Sequence, residues 1–128
     1  MNVFKMGKIQ IERYQMIVPS LDTDEVIITS ERIDHINKHH PGDWDAYGQE
    51  LIPKILENPE YILNDRDHPD NTAVLLKSFS VDTKKLYFHL VLRLHTPKDP
   101  PEYLNSIMTF WHIRQKEYRR MVKRRRHY

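Results

Sequence analysis

The chain has 128 residues, 39% of them hydrophobic, which suits one domain around a single modest core. It contains no cysteine, so disulfides, thiolate nucleophiles and Cys-based zinc sites are excluded, and no apolar run approaches the roughly 18 residues of a membrane span. The net charge of +2 conceals an asymmetry: His112 to Tyr128 carries eight Lys/Arg and one acid, while the rest of the chain carries 12 basic and 17 acidic side chains.

In chain order, Met1 to Gly7 reads as loose and lacks the apolar stretch of a signal peptide, which makes a cytoplasmic protein the simplest expectation. Lys8 to Val18 alternates at Ile9, Ile11 and Arg13 and predicts a strand. An acidic turn follows, then a short β run over Val26 to Thr29. Ser30 is a good N-cap and Glu31 places negative charge in the first turn of a helix that stops near His40, before Pro41-Gly42. Asp43 caps a second helix, in which Trp44, Tyr47, Leu51, Ile55 and Leu56 recur at helical spacing, with Pro53 inside it and Asn58-Pro59 closing it.

Glu60 to Asn64 predicts a short strand and Asp65 to Asn71 a polar loop. Thr72 to Val81 and Leu86 to Leu94 predict two strands joined by a hairpin at Asp82-Thr83-Lys84. In the second, Leu86, Phe88, Leu90, Leu92 and Leu94 face one way and Tyr87, His89, Val91, Arg93 and His95 the other, so the sheet has a buried face and a wetter one. After the rigid loop Thr96 to Pro101, Tyr103 to Ile113 predicts a third long strand, and Arg114 to about Arg126 a basic C-terminal helix. Helices followed by consecutive strands point to an α+β fold. The whole chain is one domain, with residues 1–25 an N-terminal extension carrying a strand and 26–128 the core.

Chemistry is expected on the first helix, which is short of apolar residues and holds three of the eight histidines within six positions. Arg32, His35 and His39 fall on one helical stripe, with Ile33, Ile36 and His40 on the next. The H-x-x-x-H spacing could serve zinc, but Ile36 stands where a zincin has Glu, and a third ligand would have to come from His40, His68 or Asp67. Gly-rich phosphate loops and a serine nucleophile elbow are absent. Metal-free RNA cleavage fits better. It needs imidazoles as general base and acid, and cations for the charge that develops on the phosphate. Lys77 offers a further cation, or is an edge-strand lysine that discourages aggregation. Asn105, Ser106 and Thr109 are polar in an apolar strand, suited to phosphate contact or to ordinary sheet hydrogen bonds. Trp111, Tyr87 and Phe110 could stack on bases or pack in the core. The C-terminal run, including Arg119, Lys123 and Arg124, is more basic than a helix dipole requires and suggests a polyanion partner.

The runs R-I-D-H-I-N-K-H-H-P (32–41), L-I-P-K-I-L-E-N-P-E-Y-I (51–62) and N-S-I-M-T-F-W (105–111) ahead of a basic helix resemble the phage-associated barnase–EndoU–colicin–RelE-like nucleases. The resemblance covers roughly residues 28 to 128. It implies N-terminal helices packed on a four-stranded or slightly larger antiparallel sheet. It also implies a cofactor-free, metal-independent endonuclease acting on RNA, often tRNA in related toxins, and leaves room for an immunity or antitoxin protein as partner. By position, His35 matches the helix histidine of the pattern and His40 that of its R-H-P, so His39 stands where Arg or Lys is common. Ser106 and Thr109 match polar positions of its last strand. The expected site therefore has His35, His39, His40, Arg32 and Thr109 as catalytic residues, and Lys77, Asn105, Ser106, Arg119, Lys123 and Arg124 as substrate-binding ones. The alternatives are a non-catalytic nucleic-acid- or protein-binding module of a phage or mobile element, and a small zinc enzyme.

Overall fold

A computed structural model describes residues 2–128. Six strands, β1 (Val3–Lys8), β2 (Glu25–Thr29), β3 (Tyr61–Asn64), β4 (Thr72–Val81), β5 (Lys84–Arg93) and β6 (Asn105–Ile113), form one sheet in the order β1-β2-β6-β5-β4-β3. The helices are α1 (Ser30–His39), α2 (Gln49–Glu57, preceded by a π-helical turn over Trp44–Gly48) and α3 (Gln115–Arg124). None of the helices is long and apolar enough to cross a membrane.

The architecture is α+β, but the expectation of a four-stranded or slightly larger antiparallel sheet is overturned: the sheet has six strands and is mixed, with β2 and β6 parallel. The N-terminal segment expected to be loose is β1, antiparallel to β2, and the strand expected over Lys8 to Val18 is instead a 3-10 turn at Ile11–Arg13 within a loop. The β1–β2 pair joins the meander through a parallel pairing of β2 with β6, at Val26↔Asn105 and Ile27↔Ser106. Asn105 makes this join. It is fully buried, and its Nδ2 donates to the carbonyls of Thr23 (2.8 Å) and Glu25 (3.1 Å), while its Oδ1 accepts from the His95 amide (2.8 Å). A parallel contact between segments so far apart leaves no periodic trace in either one.

The alternation in β5 works as read. Phe88, Leu90 and Leu92 point into the main core, with Ala73, Leu75, Ile107, Phe110, Val26 and Ile28 from neighbouring strands and Ile36, Ile52, Ile55 and Leu56 from α1 and α2. Each such side chain taken from water stabilises the fold by roughly 1.5–3 kcal/mol before the entropy of ordering it. The wetter face is half covered. Tyr118 and Met121 of α3 pack on Leu63, Val74, Leu76, Tyr87 and Ile113 and form a second, smaller core. The C-terminal tail then seals the outer edge of β3: Asn64 donates its amide to the Arg126 carbonyl (2.9 Å) and the Tyr128 amide donates to the Ile62 carbonyl (2.8 Å). A covered edge cannot recruit foreign strands.

Candidate functional site

Helix α1 begins one residue earlier in effect than its sequence suggests. Thr29 is the N-cap, its Oγ1 accepting from the Arg32 amide (3.3 Å), while the Ser30 hydroxyl accepts from the Asn2 amide (3.2 Å) and ties down the N-terminal strand. Only Ile36 of α1 is buried, so one row of side chains anchors the helix and the adjoining row faces outward. On that outward row the His35 and His39 rings lie 4.4 Å apart. The helix ends at His40, and the chain turns through Gly42, whose φ of +90° suits glycine. His40 lies just past the helical turns, and its ring is directed away from the other two. It stacks on Trp111, with centroids 4.4 Å apart and planes 6° from parallel.

Trp111 is reachable there because β6 has no β2 partner beyond Ser106. Asp43, expected as a helix cap, makes no capping bond; its Oδ2 accepts from the His112 amide (2.9 Å) and covers part of that open edge. An irregularity opposite Val91/Leu92, at Met108, shifts the alternation of β6 by one residue. Ser106, Thr109 and Trp111 thereby share a face with Arg93, Val91 and His89, their register partners on β5. This is the face that α3 crosses. The His89 ring lies 4.0 Å from Trp111, which is thus held between two imidazoles.

The electrostatics separate the histidines. Burial, with help from Arg125 and His40, lowers the His89 pKa to about 3, so the ring is neutral. Neither of its nitrogens, nor the Thr109 hydroxyl, has a hydrogen-bond partner among the described residues. The pKa of His35 is lowered by partial desolvation and then by the charges of His39, Arg32 and Lys38. That of His40 is lowered chiefly by desolvation, against the opposing pull of Asp43. Helix α3 supplies the charge. An open cavity of about 430 Å³ is lined by Lys116, Arg119, Arg120, Lys123 and Arg124, and another of about 400 Å³ is lined by Trp111, Arg114, Lys116 and Arg120.

The structure thus brings Arg32, His35 and His39 together, sets His40 against Trp111, and puts Thr109 and Ser106 on the same face as Trp111. It does not bring in two of the expected residues. Lys77 lies on the other face of the sheet, its Nζ donating to the Asn58 carbonyl (2.6 Å), and Asn105 spends its amide on the β2–β6 join. His68 stands by Asp65 (3.7 Å) in an exposed loop, and among the described residues no three His, Asp or Glu side chains gather as a metal-ligating set. His89 and Arg125 were not expected in the site. The alternation put His89 on the wetter face, but only the crossing of α3 places Arg125 near it. The chain matches no protein-family model, no curated protein and no solved structure.

Proposed function

We propose that the protein is a metal-independent RNA endonuclease similar to the phage-associated barnase–EndoU–colicin–RelE-like nucleases. One observation carries the reading: His35 and His39 pair on the outer row of α1, and His40 at its end stacks on Trp111, a half-exposed ring that lines an open cavity with Arg114, Lys116, Arg120 and Glu117. Imidazoles supply proton transfer near neutrality, the cations attract and hold a polyanion, and an aromatic ring accepts a base. In the reaction the ribose 2′-oxygen attacks the adjacent phosphorus, the bond to the 5′-oxygen breaks, and a 2′,3′-cyclic phosphate remains. His35, whose pKa is lowered by partial desolvation and then by its cationic neighbours, takes the 2′ proton. His39 or His40 returns a proton to the leaving 5′-oxygen. Arg32 neutralises charge on the phosphate, Ser106 offers a hydroxyl, and Arg119, Lys123 and Arg124 hold the flanking backbone; the Thr109 hydroxyl, expected to act with them, is buried away from solvent.

The test is cleavage of an end-labelled RNA in EDTA, with product ends analysed. The wild type should yield cyclic phosphate, and His35→Ala should lose at least about a hundredfold in rate while keeping its circular dichroism spectrum. Full activity of that variant, or loss of wild-type cleavage in EDTA, would sink the proposal. Binding without any cleavage would support the alternative, a non-catalytic nucleic-acid-binding module that works through the basic face of α3.

A further inference from the structure

We infer that Trp111 is a stacking site for one unpaired nucleobase, and that the His40 ring fills this site in the free protein; the inference rests on the RNA reading above. The His40 imidazole lies on Trp111 as a base would, close to parallel at 4.4 Å. It is poised to leave. No described residue hydrogen-bonds its ring nitrogens, and its backbone (φ −136°, ψ 66°) is already outside the helix, next to the Pro41-Gly42 turn. Its departure therefore costs no helical hydrogen bond of α1 except the one its own amide donates at the cap.

The platform itself is fixed. Trp111 sits in β6, and the buried His89 ring braces it from the β5 side. Because His89 is neutral, it sets no charge beneath the ring. Of Trp111, Tyr87 and Phe110, Phe110 is fully buried and Tyr87 is covered by the Tyr118 ring, 4.8 Å away, which leaves Trp111 of the three; the exposed Tyr103 and Phe4 do not line the cavity of Arg114, Lys116 and Arg120. Trp111 also lines the open cavity that it shares with Arg114, Lys116 and Arg120. A flat aromatic surface beside cations matches a nucleotide: the base stacks while its phosphate meets the guanidinium and ammonium groups.

The contrary view is that His40 on Trp111 is permanent packing. The two differ in sign. Tryptophan emission of the full chain is followed during titration with a 2′-O-methyl single-stranded RNA that cannot be cleaved, with each nucleoside 5′-monophosphate, and with inorganic phosphate; Trp111→Leu gives the Trp44 background. RNA and the monophosphates should change Trp111 emission and phosphate should not. His40→Ala should bind the monophosphates roughly two- to tenfold more tightly, since an aromatic competitor is gone. His40→Phe, a stronger stacker, should bind them more weakly, and Trp111→Leu should weaken them roughly tenfold or more. Equal or weaker binding by His40→Ala overturns the inference, as does unaltered binding by Trp111→Leu; RNA that still binds both variants leaves the RNA reading standing. A wild type that binds no RNA overturns both.

Discussion

His89 makes the stability of this fold sensitive to acid in a way that can be measured. The side chain is 4% exposed and, among the described residues, neither ring nitrogen has a partner. Its pKa is about 3 in the fold against 6.5 for the ordinary side chain. Between these values the unfolded chain holds a proton that the folded chain does not. Stability from this group is therefore complete above about pH 6.5 and is lost as the pH falls toward about 3. At roughly 1.4 kcal/mol per unit, a change from about pH 7 to about pH 5 costs on the order of 2 kcal/mol from His89 alone. His35 and His40, also lowered, act in the same direction, so the comparison must be a difference. His89→Leu removes the titrating group and two buried unpartnered nitrogens, and should be about 1 kcal/mol more stable at neutral pH. Urea unfolding of both proteins across this range should show the wild type falling away from the variant by on the order of 2 kcal/mol near pH 5. Parallel curves would refute the reasoning, because they would mean that His89 keeps an ordinary pKa in the fold.

Asn105→Ala should cost about 2–4 kcal/mol in urea unfolding, since three hydrogen bonds go and buried backbone groups lose their partner, yet below its unfolding transition it should bind RNA as the wild type does; a selective loss of RNA affinity would restore it to the substrate site. Reversing charge at Arg119 and Lys123, both exposed on α3, should lower RNA affinity and reduce the salt slope by roughly one unit for each phosphate no longer neutralised, with an unchanged thermal midpoint. Reversal is the cleaner perturbation because deleting the helix would also strip Tyr118 and Met121 from the second core.

The meander, the helix that stops before Gly42, and the basic terminal helix were legible because each is written in local pattern: period two in β5, a His/Arg stripe at helical spacing, a run of cations. What escaped was non-local. The segment before Gly7 has little hydrophobic pattern of its own and becomes a strand only because β2 offers it an edge. Asn105 and Lys77 have the right chemistry for phosphate, and nothing in sequence says that two backbone carbonyls and the end of α2 claim them first. The irregularity at Met108 is likewise invisible in sequence, yet it sets Ser106, Thr109 and Trp111 on one face.

Sequence alone left open whether His39, on the stripe of His35, or His40, at the R-H-P position, is the partner of His35, whereas in the structure they do different things. His39 already touches His35 on the outer surface of α1, where both rings are open to a phosphate. His40 is engaged on Trp111 and becomes available only when something displaces it. If a base does so, His40 joins the reaction after binding, and its substitution acts on two steps at once. His40→Ala should then lower KM, because the platform is vacant, and also lower kcat, because a proton donor is gone. His39→Ala should lower kcat with little change in KM. Steady-state cleavage of a short single-stranded RNA separates the two. A His40→Ala enzyme with unchanged KM and reduced kcat would leave His40 a simple acid with no gating role, and one with raised KM would make its stack on Trp111 part of the substrate site.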